Sequence, residues 1–161
     1  MTTAADRDLP RRAVALGWLL LLCVGGGAAI GVAFAGQADT YQTLELPPWA
    51  PPSWLFGPAW TVLYMLMAVS AWLVWSHPHP FRRRALSAFG LQLALNFAWT
   101  PVFFGAGLRV LGLVVIVGVL LAAGWWAFES ARVRSVAGAL QLPYLVWVSF
   151  ATALNGAIAL G

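Results

Sequence analysis

Long, nearly uninterrupted runs of apolar residues alternate with short polar segments along this chain. Five such runs lie at approximately 13–34, 56–75, 85–104, 110–128 and 136–160. A bilayer hydrocarbon core is about 30 Å thick, so a helix needs about 20 apolar residues to cross it. The pattern therefore predicts an all-α integral membrane protein, a bundle of five transmembrane helices forming one domain over 1–161.

Arginines are concentrated at one end of the predicted bundle. Three groups fall on the same side if the five helices alternate in direction: Arg7, Arg11 and Arg12; Arg82, Arg83 and Arg84; Arg132 and Arg134. The opposite side carries Arg109 and the arginine-free loop 36–55. Because loops rich in arginine stay in the cytoplasm, we expect a cytoplasmic N-terminus and a C-terminus outside.

Composition excludes several classes of function. The chain is 61% hydrophobic and 9% charged, and its cations are all arginine, so no lysine can form a retinal or pyridoxal Schiff base. Cys23 is the one cysteine, which excludes an intrachain disulfide and a thiolate-rich metal site. The arginines flank apolar spans, where they serve topology and anionic headgroups. We expect no cofactor, no metal and no nucleic-acid partner.

No ionisable residue lies at the centre of a predicted span, which disfavours a proton-coupled transporter. Glu129 stands at the end of the fourth run, near Arg132, and we interpret it as an interfacial residue. His77 and His79 lie in a "SHPHP" loop without a serine nucleophile or further metal ligands. The sequence therefore contains no acid, base and nucleophile set of a hydrolytic enzyme.

Polar groups inside the third run follow a helical spacing. Gln92, Asn96 and Thr100 recur at i, i+4 and i+8, which places them on one face. Amides in lipid need partners, and for Gln92 we favour a hydrogen bond between helices. Asn96 has Trp99 nearby, and that combination indicates a pocket.

The chain has ten tryptophans, a large excess for its length. Five are explained by the belts of indoles at membrane interfaces: Trp18, Trp72, Trp75, Trp125 and Trp126. Trp60, Trp99 and Trp147 lie instead beside hydrogen-bonding groups, including Tyr64 in the second run and Tyr144 in the fifth. Flat rings with a few polar groups are typical of a pocket for a planar, mostly apolar ligand.

Small residues recur at the spacing that lets membrane helices approach closely. Gly27 and Gly31 form GxxxG in the first run, and Gly90, Ala94 and Ala98 form a ridge on the third. Each set is compatible with packing inside one chain or with a seam between two copies.

Three motifs resemble the TspO/MBR family of tryptophan-rich membrane proteins. They are "LPPWAPPSWLFGPAWTVLYMLM" (46–67), "LQLALNFAWTPVFFG" (91–105) and "LPYLVWVSFATALN" (142–155). The resemblance implies a five-helix bundle, commonly dimeric, that binds porphyrins and other hydrophobic ligands. It also implies that loop 36–55 covers the pocket as a lid, which suits a proline-rich segment with few amide donors and a restricted backbone.

The resemblance also implies the site residues. Trp60 and Trp147 match a pair implicated in ligand binding and in porphyrin photodegradation, and they are the candidate catalytic residues. Further pocket positions are matched by Asn96, Trp99 and Ala151, with Trp49, Pro51 and Pro52 of the lid loop. The residues themselves add Tyr64, Phe103 and Tyr144 to the expected ligand-binding set. After "ATALN" the sequence has "GAIALG", without the tyrosine and basic residue of the family's cholesterol motif. We therefore expect no cholesterol recognition through that motif.

Three functions follow from the resemblance. The first is a binding protein for protoporphyrin IX-like tetrapyrroles, acting as sensor, regulator or carrier in a bacterial membrane. The second is an enzyme that degrades bound porphyrin in light, and the third is a translocator of a hydrophobic small molecule. The absence of repeats and of intramembrane charges argues against a coupled transporter. We also expect a homodimer through Gly90, Ala94 and Ala98 of the third helix.

Overall fold

The computed structural model describes residues 4–34 and 36–160, and this part of the chain is helical throughout its long segments. The helices are α1 (Ala4–Leu20), α2 (Gly26–Ala33), α3 (Gln37–Gln42), α4 (Phe56–Trp75), α5 (Arg82–Thr100), α6 (Arg109–Val133), α7 (Ser135–Ala139) and α8 (Leu142–Leu160). No strand occurs in these residues. The predicted all-α class is confirmed.

Five segments of the described chain are long and apolar enough to cross a membrane. We call them the first to fifth spans, and they are Leu9–Ala33, Ser53–Trp75, Arg82–Gly105, Arg109–Val133 and Ser135–Leu160. The fourth span continues to Val133, five residues beyond the end expected from hydropathy. Its last turn contains polar residues that are buried by neighbouring helices, so the helix continues where the apolar run stops.

Two spans contain a π turn, a helical turn widened by one residue. In the third span Pro101 opens the turn Pro101–Gly105, because proline lacks the N–H that a regular helix requires. The backbone N–H of Ala106 bonds instead to the carbonyl of Pro101, five residues back, at 2.8 Å. The added residue changes which side chains face the bundle, and Phe103 within the turn is buried.

The hydrophobic core lies between the second, third, fourth and fifth spans. Its fully enclosed members include Met67, Val74 and Trp126. The most apolar window of the first span is only 6% buried, against 39% for the second. The first span therefore lies at the edge of the bundle and exposes large apolar side chains to lipid.

The first span contacts the bundle through adjacent glycines. A Cβ at Gly27 would overlap the ring of Tyr64, and one at Gly26 would come within 2.8 Å of the ring of Phe97. The absence of a side chain at these positions allows two aromatic rings to lie against the helix backbone. The GxxxG motif is compatible with packing inside one chain or with a seam between two copies, and the contact of Gly27 supports packing inside one chain.

Glu129 is a buried ion-pair partner near the end of the fourth span, and its place at the membrane interface stays a prediction. Its side chain is 0% exposed, and Arg84 Nε lies 2.7 Å from Oε1. Arg132 Nη1 lies 3.4 Å from Oε2, while the indole N–H of Trp125 donates to Oε1 at 3.3 Å. Both long arginine stems reach the carboxylate from the helix ends, which shields it from the surroundings.

Trp126 does not belong to a belt of indoles at the membrane interface, contrary to the prediction from the sequence. Its side chain is fully buried, and its ring centroid lies 5.3 Å from that of Phe89. Trp125, its neighbour, lies near Glu129 instead. The helical rotation of about 100° between adjacent residues separates the environments of these two indoles.

The arginine groups share one end of the bundle, here called the arginine end. Trp72, near the end of the second span, donates its indole N–H to the carbonyl of Arg12 at 2.8 Å. Arg84 at the start of the third span pairs with Glu129 near the end of the fourth. The segment 36–52 lies at the opposite end, here called the lid end.

Candidate functional site

A cavity of about 300 Å³ lies towards the lid end, between the first, second, third and fifth spans and the segment 36–52. Its volume falls at the lower limit of small-molecule sites, which measure about 300–1,000 Å³. Its lining is predominantly aromatic and aliphatic, with a few neutral polar groups.

Indole and phenyl rings form the walls of the cavity. Trp60 and Trp147 meet edge to face, with centroids 6.4 Å apart and planes at 87°. Phe56 contacts Trp147 edge-on at 5.9 Å, while Trp99 stacks on Phe103 at 5.1 Å. Because the first two indoles are perpendicular, a flat ligand that stacks on one lies perpendicular to the other.

Hydrogen bonds join three spans at the floor of the cavity. The phenol of Tyr64 donates to Asn96 Oδ1 at 2.6 Å, and Asn96 Nδ2 donates to the hydroxyl of Tyr144 at 3.2 Å. Trp60 packs against both tyrosines, with centroids 5.5 Å from Tyr64 and 6.2 Å from Tyr144. The amide of Asn96 is therefore engaged within the protein.

The segment 36–52 closes the cavity from one side, and Tyr41 of α3 holds it in place. The phenol of Tyr41 donates to the carbonyl of Pro51 at 3.0 Å, and its ring meets Phe56 edge-on at 5.2 Å. Tyr41 and Leu44 share a buried cluster with Phe103 and Ile158. Burial raises the pKa of the Tyr41 phenol above its usual 10.0, so it remains a donor at neutral pH.

Seven residues expected from the sequence line this cavity: Trp60, Tyr64, Asn96, Trp99, Phe103, Trp147 and Ala151. Tyr144 lies beneath the floor, fully buried. Trp49 is half-exposed and contacts Phe150 at 5.7 Å. Pro51 supplies the carbonyl that accepts from Tyr41, and Pro52 is exposed before the second span. The lid residues expected from the sequence thus lie around the cavity, outside its lining.

Ten further residues line the cavity, and sequence reasoning did not select them: Gly31, Tyr41, Ser53, Phe56, Gly57, Thr100, Phe104, Leu154, Asn155 and Ile158. Asn155 was detectable. It follows Trp147 and Ala151 at intervals of four residues, which places all three on one helix face. The contribution of Tyr41 depends on the fold of the lid, for which hydropathy gives no signal.

The lining is free of formal charge. In the part of the chain that the structure describes, no Asp, Glu, Arg or His borders the cavity. Its polar side chains are hydroxyls, carboxamides and indoles. The indole N–H groups of Trp99 and Trp147 and both amide atoms of Asn155 are buried without a hydrogen-bond partner among the described residues.

Five apolar spans, four of which line an aromatic cavity that the segment 36–52 closes from one side, define a five-span helical membrane protein with an internal pocket. The TspO/MBR family model matches residues 19–160. The chain belongs to the TspO/MBR family and is a multi-pass bacterial membrane protein.

Its relatives span several domains of life. Translocator protein from Homo sapiens is 41% identical over 121 residues, covering 71% of this chain and 70% of the relative. Tryptophan-rich protein TspO from Archaeoglobus fulgidus is 39% identical over 138 residues, covering 81% and 90%. Tryptophan-rich sensory protein from Cereibacter sphaeroides is 38% identical over 140 residues, covering 86% of each chain.

Proposed function

We propose that this protein binds tetrapyrroles such as protoporphyrin IX, and other planar hydrophobic ligands, as a sensor, regulator or carrier in tetrapyrrole homeostasis and stress response. The observation that carries the proposal is the cavity of about 300 Å³ walled by three indoles and free of formal charge. Such a lining suits a planar, mostly apolar molecule. The relatives' names, Translocator protein and Tryptophan-rich sensory protein, support a membrane sensor or translocator role.

The size of the cavity constrains how a tetrapyrrole would bind. At the lower limit for small-molecule sites, the cavity would be filled by part of the macrocycle. The remaining edge would lie at the mouth, against the segment 36–52. Trp60 or Trp147 would stack on the ring, which would then lie perpendicular to the other indole.

Quenching of intrinsic tryptophan fluorescence tests the proposal. Protoporphyrin IX is titrated in the dark into wild type, Trp60→Phe, Trp147→Phe and the control Trp18→Phe, which alters an indole that is 67% exposed on the first span. We expect saturable quenching in all four proteins and a dissociation constant raised about three- to tenfold in the two cavity variants. That change corresponds to the binding free energy contributed by one aromatic contact. Nonsaturable quenching, identical in all four proteins, would reject the proposal.

Light-dependent degradation of bound porphyrin is a second candidate, favoured by the two indoles, Trp60 and Trp147, that meet edge to face in the cavity wall. An excited ligand held there would contact a readily oxidised ring in the presence of oxygen. The absorbance of protoporphyrin IX should then decay faster under light with this protein than with the same concentration of free tryptophan in detergent. Equal rates would exclude this activity.

We further propose a homodimer through the third span. Gly90, Ala94 and Ala98 are exposed, and a Cβ at Gly90 would meet nothing within 4 Å, so this ridge is not used inside the chain. Ala94→Leu should shift the protein from dimer to monomer in light scattering of detergent-solubilised samples. Ala153→Leu, at an exposed alanine of the fifth span, should leave the mass unchanged. A dimer that survives Ala94→Leu would contradict this interface.

A further inference from the structure

Three buried carboxamides in the described residues keep amide atoms without a hydrogen-bond partner: Gln92, Gln141 and Asn155. Buried polar groups are normally satisfied, so each of these is exceptional. Gln92 and Gln141 do not border the cavity, whereas Asn155 does. Only the amide of Asn155 therefore lies where a bound molecule could supply the missing partner.

Asn155 lies on the same face of the fifth span as Trp147, two helical turns further on. Its side chain is 2% exposed, and neither Oδ1 nor Nδ2 has a hydrogen-bond partner within 4–34 and 36–160. Asn96, the amide expected to contact the ligand, is instead engaged by Tyr64 and Tyr144. The cavity thus contains one carboxamide bonded within the protein and one whose hydrogen-bonding groups are unused.

The unused groups at the cavity wall are mostly donors. Asn155 Nδ2 and the indoles of Trp99 and Trp147 supply N–H groups, while Asn155 Oδ1 is an acceptor. A ligand with an acceptor group fits this balance. A carboxylate fits poorly, because the lining offers no cation and a buried unpaired charge is very unfavourable.

We propose that Asn155 is the polar anchor of the cavity and that it binds a neutral acceptor on the ligand, a ring carbonyl or an ester. Carboxylates stay at the mouth, outside the lining. The anchor therefore favours esters and ring ketones over protoporphyrin IX itself, whose only oxygen acceptors are its two carboxylates. This inference rests on the proposed function in placing a planar ligand in the cavity, but it concerns the chemistry of the ligand's enclosed edge.

Two probe pairs test the anchor. Protoporphyrin IX dimethyl ester is compared with octaethylporphyrin, which has the same macrocycle without carbonyl groups, and fluorenone is compared with fluorene. Binding is followed in detergent by fluorescence quenching for the porphyrins and by the ligand-dependent rise in thermal unfolding temperature for the smaller rings. The variants are Asn155→Leu and Gln141→Leu, which removes a buried unpartnered amide away from the cavity.

We expect Asn155→Leu to weaken binding of the dimethyl ester and of fluorenone about three- to tenfold, the range for one neutral hydrogen bond. Binding of octaethylporphyrin and fluorene should be unchanged, and Gln141→Leu should change none of the four. Equal losses for both members of a pair would mean that Asn155 acts through packing and would overturn the proposal. Unchanged binding of all four probes would also overturn it.

A measurement on the unmodified protein keeps the test independent of variant folding. The infrared C=O band of bound fluorenone should lie at lower wavenumber than that of fluorenone in detergent micelles without protein, because a hydrogen bond weakens the C=O bond. An unshifted band, or no binding of fluorenone, would overturn the anchor. If fluorenone shows the shift and the Asn155 dependence while neither porphyrin binds saturably, the tetrapyrrole proposal fails and the anchor stands.

Discussion

Tyr64 donates a 2.6 Å hydrogen bond to Asn96 Oδ1 and thereby joins the second span to the third at the floor of the cavity. The same tyrosine ring lies against the backbone of Gly27 in the first span. One side chain therefore connects three helices. Its substitution should affect both the stability of the bundle and the shape of the cavity.

Tyr64→Phe should destabilise the protein by about 1–3 kcal/mol, because it leaves a buried amide oxygen without its partner. Thermal unfolding in detergent measures the effect. Thr61→Val is the control, since that exposed hydroxyl bonds to the carbonyl of Gly57 on its own helix. The control should shift stability by less than about 0.5 kcal/mol. An unfolding temperature for Tyr64→Phe equal to that of wild type would show that the hydrogen bond is dispensable.

Gly27→Ala should destabilise the contact between the first span and Tyr64. The added methyl group overlaps the ring, and overpacking of this kind costs about 1–3 kcal/mol. Gly17→Ala on the same span is the matched control, because a Cβ there meets nothing within 4 Å. The control should be neutral or stabilising, since alanine favours helix over glycine by about 1 kcal/mol. Equal effects of the two substitutions would refute the close packing.

Tyr41→Phe should accelerate ligand release about two- to fivefold, because it removes the hydrogen bond that ties α3 to Pro51. Stopped-flow dilution of a porphyrin complex measures the rate. Thr43→Val, which removes an exposed hydroxyl bonded locally to Thr40, should leave the rate unchanged. A Tyr41→Phe rate indistinguishable from that of Thr43→Val would remove Tyr41 from the closure of the cavity.

The pH dependence of release provides a second check on Tyr41. Its pKa is raised above 10.0 in the folded protein, so the neutral phenol is favoured by folding. The stabilisation it gives is complete below pH 10 and is lost as the pH rises through the raised value. Wild type should release ligand at a constant rate from neutral pH to about pH 10 and faster above it. Tyr41→Phe should lack this rise.

The ion pair of Glu129 should respond asymmetrically to substitution of its partners. Arg84→Gln leaves a fully buried carboxylate with Arg132 as its remaining cationic partner and should cost about 1–3 kcal/mol. Glu129→Gln frees arginines that reach solvent and should cost less than about 1 kcal/mol. In the Glu129→Gln background, Arg84→Gln should become nearly neutral. Thermal unfolding of the three variants gives the coupling, and strictly additive effects would contradict it.

The sequence predicted the five spans because hydropathy is a local property, readable from each window of about 20 residues. It predicted most of the cavity lining through motif positions such as Trp60, Asn96 and Trp147. It assigned Trp126 to an interfacial belt and did not show that Glu129 is buried, because the burial of both depends on which helix packs over the end of the fourth span. Such pairing is a tertiary property that composition does not encode.

The unpartnered amide of Asn155 is another feature that the sequence alone does not show. Periodicity places it on the face of Trp147 and Ala151, but its lack of a partner becomes visible only once every neighbouring donor and acceptor has a position. The engagement of Asn96 by two tyrosines is equally invisible in the sequence, since Tyr64 and Tyr144 lie 32 and 48 residues away from it.

The charge-free lining of the cavity has an electrical consequence. The energy that a membrane potential contributes to binding is proportional to the formal charge carried into the field, about 2.3 kcal/mol per charge for 100 mV across the full bilayer. Neutral walls and an enclosed neutral ligand edge carry no such charge. Occupancy of the cavity by an uncharged ligand should therefore be the same in energised and de-energised membranes.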